Sequence, residues 1–180
     1  MGKGLVETLQ KEYDVLTEWL SYEIHPETPP QGVPIANRFS QVDMDRMAHH
    51  LKSMGEPFGI TFTQITHLSN SRMVLESSEF ARENGKFDEF HEEVFHSYFT
   101  LGKDIGQIDV ILEMGRTVGL DSDQLKTALT EGQYLPRLQE SQLEAAKWGV
   151  TAAPTFIIEG KDYIVGAQPI EVFRNALISY

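Results

Sequence analysis

The chain contains no cysteine among its 180 residues. That single absence excludes disulfides, thiolate metal sites and cysteine nucleophiles. Long hydrophobic runs are also missing: no stretch approaches the roughly 20 apolar residues that a membrane-spanning helix needs. The opening Met-Gly-Lys-Gly-Leu-Val-Glu carries no apolar signal-peptide core. A cytoplasmic protein with no membrane association is the expectation. Basic blocks are lacking too. Only 15 Lys and Arg stand against 27 Asp and Glu, for a net charge of -12, and they are dispersed. Such a surface favours solubility and speaks against nucleic acid as a partner.

What is present suits a globular chain. Hydrophobic residues make up 41%, with ten Phe and two Trp, enough to build a core without a disulfide or metal. Gly4 to Tyr13 has Leu5, Val6 and Leu9 on one helical face. Val15 to Ile24 mixes apolar and polar residues as a strand does. His25 to Pro34 holds four prolines and a glycine, which predicts an extended loop. Met44, Met47, Leu51 and Met54 recur at three and four, the period of a helix face, and Pro57 and Gly59 end that helix. Ile60 to Ile65 is a short strand or an extended piece. Asn70 caps a helix that Gly85 closes. Phe87, Phe90, Val94 and Tyr98, widened by Phe95 and Phe99, make the next stripe. Ile108, Ile111, Leu112 and Val118 make another. Asp121 with Gln124 has capping-box spacing. Leu135, Leu138, Ala145 and Ala146 carry a long helix to Gly149.

The period then changes. Thr155 to Glu159 is a buried strand, Gly160-Lys161 a turn, and Tyr163 to Val165 its hairpin partner. Pro169 opens a final helix with Ile170, Phe173, Leu177 and Ile178 on its apolar face. The predicted class is α/β. The core comprises 1–42 and 150–180, and a helical insertion comprises 43–149.

Val150-Thr151-Ala152-Ala153-Pro154-Thr155-Phe156 carries the most information. A proline cannot donate to a sheet ladder, so it stands at a strand start. Taken alone, Pro154 is no more than that. The stretch resembles the cis-proline loop of thioredoxin-like proteins. Gly166-Ala167-Gln168-Pro169, Asn70-Ser71-Arg72, and Leu20 to His25 running into Pro26-Glu27-Thr28-Pro29 resemble further signatures of the DsbA-like branch. That branch includes FrnE-type oxidoreductases and 2-hydroxychromene-2-carboxylate isomerases. The resemblance covers nearly the whole chain.

The resemblance implies a thioredoxin-like fold with a helical insertion and a thiol–disulfide oxidoreductase ancestry. It implies a cis Ala153-Pro154 bond, with Ala153, Pro154 and Thr155 docking a peptide or small thiol substrate. In the isomerase-like relatives the region of Asn70 and Arg72 lies near bound glutathione, so these two are candidate thiol-cofactor contacts. The alternatives are a glutathione-dependent isomerase-like protein and a non-catalytic binding protein. The family's Cys-x-x-Cys has no counterpart here. Met1-Gly2-Lys3-Gly4 resembles the residues just after that motif, so the first core strand and both cysteines are expected upstream of Met1. No catalytic residue is therefore assigned, and this chain is expected to be redox-inactive. A homodimer in which a second copy fills the place of the missing strand is a further expectation.

Other clusters have simpler readings. His91 and His96 are five apart, and His49 and His50 are adjacent, so neither pair converges on a helix. No metal site is expected, and all four are taken as exposed polar positions. Glu18, Glu23, His25 and Glu27 are expected on an exposed strand and loop.

Overall fold

The computed structural model describes residues 2–56, 59–158 and 162–178. The chain forms two compact units, one of residues 1–20 with 144–180 and the other of residues 21–143.

In the first unit, helix α1 spans Gly2–Glu12 and buries Leu5, Val6 and Leu9, the face the sequence marks. Strands β3 (Thr155–Ile158) and β4 (Asp162–Val165) pair antiparallel, with Phe156 opposite Ile164. Helix α8, Ile170–Ile178, follows. Leu5, Leu9 and Phe173 form the buried core, with Tyr13, Phe156, Ile164, Ile170 and Leu177 packed around them. The Phe156 and Phe173 rings meet edge to face at 4.7 Å, a favoured aromatic geometry. Arg174 joins the helices through Glu12, donating from Nε at 2.8 Å and Nη2 at 2.6 Å. The predicted turn residues Gly160 and Lys161, with Glu159, lie outside the described residues.

The regular structure of the second unit is mostly helical. Two short strands, β1 (Val33–Pro34) and β2 (His67–Leu68), pair antiparallel. Helix α2 is Gln41–Gly55, capped by Ser40, whose Oγ accepts from the Asp43 amide. Helices α3 (Arg72–Glu83), α4 (Phe87–Phe95), α5 (Ile108–Thr117), α6 (Ser122–Glu131) and α7 (Leu135–Lys147) follow. Val74, Phe80, Ala81, Phe90, Ile111, Met114 and Leu125 anchor one continuous core. Asp121 caps α6 by accepting from the Asp123 and Gln124 amides, as its spacing predicts. Gly132 ends α6 in the left-handed conformation, φ +63°.

Three sequence expectations change. Val15 to Ile24 is not a strand: residues 14–23 lie in no helix or strand, and Leu16 is fully exposed. Alternation supplies a buried face only when a neighbouring ladder exists to bury it, and among the described residues none pairs here. Of the two readings of Ile60 to Ile65, the strand is dropped: these residues lie in no helix or strand, and β2 starts only at His67, while Pro57 lies outside the described residues. His91 is not an exposed polar position. Its ring stacks on Phe87 at 5.5 Å and meets Phe95 edge-on at 4.7 Å, so the i, i+4 spacing builds an aromatic ladder. Of the predicted aromatic stripe, Phe90 is fully buried while Phe95 is half exposed.

Candidate functional site

The first candidate lies in the unit that holds α1. The Ala153–Pro154 peptide bond is cis. Two contacts fix the loop around it. Gly166 donates its amide to the Pro154 carbonyl at 2.8 Å, extending the β3–β4 pairing past Thr155 and Val165. The Thr155 hydroxyl donates back to the Ala152 carbonyl at 2.7 Å. Ala153 is exposed, while Pro154 and Thr155 are half-buried. The three predicted substrate-docking residues therefore form one tied loop, with the residue before the proline facing solvent.

Gly2, the first residue of α1, stands against this loop. A Cβ built on Gly2 would meet Pro154 Cβ and Cγ at 3.3 Å. A glycine there lets the start of the helix approach the proline ring closely. The unpaired amides of a first helical turn carry partial positive charge, so the loop lies beside an electropositive backbone end. The family resemblance marks Pro154 but not Gly2. Its only signal was a glycine pair flanking Lys3 at the helix start, which is too short to be a phosphate loop.

The second candidate lies in the helical unit and holds Asn70 and Arg72. Asn70 is spent locally. Its amide donates to the Thr28 carbonyl at 2.6 Å, and its oxygen accepts from the Arg72 amide at 3.0 Å. Arg72 Nη2 donates to Glu23 Oε2 at 3.3 Å, and Nε stands 3.3 Å from Glu23 Oε1. Glu23 is 6% exposed, which corrects its expected place on an open strand. Gln142 donates to the Glu23 carbonyl at 3.1 Å and so ties α7 to this segment.

A second buried acid extends the cluster. Ser21 donates to Glu79 Oε1 at 2.7 Å, and Arg82 donates to Glu79 Oε2 at 3.0 Å. Arg137 and Tyr134 both donate to Glu83, at 3.1 and 2.7 Å. Burial, then the hydrogen bond to the Glu83 carboxylate, pushes the Tyr134 hydroxyl up to about 12. The network is therefore a set of helix-to-loop ties. Its arginines pair with the buried glutamates.

The loop geometry and the whole-chain comparison agree. A model of the DSBA-like thioredoxin domain matches residues 1–178. The chain belongs to that family.

A curated relative matches over nearly the whole chain. The uncharacterized protein YwbO of Bacillus subtilis (strain 168) is 32% identical over 98% of this chain and 88% of its own length. Two solved structures share the fold. The probable DsbA oxidoreductase SCO1869 of Streptomyces coelicolor superposes with a TM-score of 0.81 at 20% identity, over 88% of this chain and 72% of that one. A Nitrosomonas europaea protein, provisionally named a protein disulfide isomerase, gives a TM-score of 0.71 at 16% identity, over 98% and 87%. Within this DsbA-like frame the cis-proline loop is present and the sequence offers no thiol to face it.

Proposed function

We propose that this DsbA-like chain binds an extended peptide or a small thiol compound at the Ala153-Pro154-Thr155 loop without exchanging electrons with it. The observation that carries the reading is the tied loop with an exposed Ala153 beside the glycine start of α1. Dithiol exchange needs a thiolate that attacks and a second sulfur that receives. No other side chain is a reversible two-electron carrier of that kind, and this sequence has no cysteine. A chain without cysteines also needs no oxidising compartment, so the proposal includes a cytoplasmic location.

A glutathione-dependent isomerase is the weaker reading. It would use Asn70 and Arg72, yet the Asn70 amide is committed to Thr28 and the Arg72 guanidinium to Glu23. Binding through the proline loop needs neither.

The test has two arms. Insulin reduction by the purified chain should stay at the uncatalysed rate, and turnover above that rate would end the non-redox reading. In parallel, ¹⁵N-labelled chain is titrated with an unstructured peptide, a reduced thiol compound, or both. Shifts should concentrate at 152–155 and weaken in Pro154→Ala. Shifts confined to 70–72 under glutathione would favour the isomerase reading instead.

A further inference from the structure

The helical unit holds two deeply buried carboxylates whose hydrogen bonding is incomplete. Glu23 is 6% and Glu76 4% exposed. Among the described residues, Glu23 Oε1 and Glu76 Oε2 accept no hydrogen bond, although Arg72 Nε stands 3.3 Å from the first. The two acids are neighbours. Burial raises the Glu76 carboxyl above its ordinary value, Arg72 lowers it, and Glu23 raises it again. One guanidinium thus faces two buried acids. Glu79 is the contrast, because Ser21 and Arg82 donate to its two oxygens. Buried charges are normally paired and hydrogen-bonded. What Glu23 and Glu76 lack is a second cation that carries N–H donors.

Glu23 and Arg72 line a groove of about 610 Å³ in the same unit. The rest of its lining is one face of α7, at helical spacings of three and four. Leu135, Leu138 and Leu143 make that face apolar, and Gln139 and Gln142 add amides. Gln142 is committed to the Glu23 carbonyl at 3.1 Å, whereas Leu143 is 66% exposed. The groove therefore sets negative charge beside an aliphatic wall.

This chemistry selects the ligand. An anion would meet two carboxylates, and a neutral hydrocarbon would leave them unanswered. A bare divalent metal needs about six oxygen ligands, which three leucines do not supply, and it would stand beside the Arg72 charge. A primary ammonium brings three N–H donors and no acceptor. An alkyl chain attached to it covers the leucines and gains from their removal from water. The Arg72 side chain is 47% exposed and has room to swing outward as the ammonium enters.

We propose that this groove binds a primary alkylammonium compound, with its nitrogen donating to Glu23 in the field of Glu76 and its chain lying along the leucines of α7. The site is separate from the cis-proline loop and does not depend on what that loop binds.

The probe is hexylammonium chloride, titrated into the ¹⁵N-labelled full chain at constant ionic strength and followed by NMR. Hexanol and hexanoate are the neutral and anionic controls. Hexylammonium should give saturable shifts at 22–24, 72–76 and 135–143, and neither control should. Glu76→Gln keeps the shape and removes the charge, so it should bind about tenfold more weakly. Leu143→Ser should reduce the preference for hexylammonium over methylammonium severalfold. Arg72→Ala should bind hexylammonium more tightly than the wild type, because the acids then lack their own cation. An equal response to hexanol overturns the proposal. So do shifts that never saturate and spread over the acidic surface, or shifts confined to 152–155. If Arg72→Ala does not fold, the other two variants decide, and wild-type affinity in Glu76→Gln or an unchanged chain-length preference in Leu143→Ser rejects the site.

Discussion

Buried carboxylates decide the most at the residue scale. Glu23 and Glu79 are each about as buried as core leucines, and each is answered by an arginine. Removing one partner strands the other charge, which costs more than the pair contributes. Arg72→Ala should therefore destabilise the chain by about 1–3 kcal/mol in urea unfolding. Adding Glu23→Gln should recover part of the loss. Glu76 is the opposite case. It is 4% exposed, and its Oε2 has no hydrogen-bond partner. Burial raises its carboxyl above the ordinary value of 4.5, Arg72 opposes that, and Glu23 adds to it. The folded state thus holds the Glu76 proton more tightly than the unfolded chain does. Stability from this group is full below about pH 4.5 and is lost as pH rises through the raised folded value. Glu76→Gln should raise stability at neutral pH, and the gain should shrink as urea melts are repeated down to pH 4.5. A gain that is constant with pH would mean that Glu76 is already ionised at no cost.

Elements were legible in proportion to how local their causes are. The α1 face, the Asp121 cap and the β3–β4 hairpin follow from spacing, a capping side chain and adjacent alternating runs, all within a few residues. Val15 to Ile24 failed for the opposite reason. Its mix of apolar and polar residues is strand-like, but a strand is a relation between two segments, and sequence spacing names only one. Glu23 was misplaced with it, because its burial depends on α3 and on Gln142 of α7. Pro154 was legible through resemblance, whereas Gly2 was not, since its role is a contact across more than a hundred residues of sequence. Gly132 offers a test at this scale. Its φ of +63° is unfavourable for any residue with a Cβ, and a Cβ there would meet Leu135 Cδ1 at 2.8 Å. Gly132→Ala should cost about 1 kcal/mol, read as a lower urea midpoint with an unchanged slope. No shift would mean that the α6–α7 turn relaxes to another conformation.

At the scale of the whole molecule, the two units differ in how much core each owns. Among the described residues, the core cluster of the helical unit holds a dozen buried hydrophobic residues, whereas the cluster of the unit with the cis-proline loop holds three. Protection against hydrogen exchange follows the buried contacts that must open with a segment. A two-stranded hairpin is marginal without further layers, and β3–β4 gains only the layer made by α1 and α8. Amides of Phe156, Ile157 and Ile164 should therefore exchange faster than those of Ile111, Leu112 and Leu125, with native-state exchange by NMR as the measurement. The consequence reaches function. A loop set on the less protected unit can adjust to different extended partners at small cost, which suits binding without chemistry better than it suits a preorganised catalytic pair. A partner peptide that binds at Ala153 should then raise protection in β3 and β4 and leave α5 and α6 unchanged. Equal protection of both units before the peptide is added would remove that adaptability and favour a rigid, preformed site.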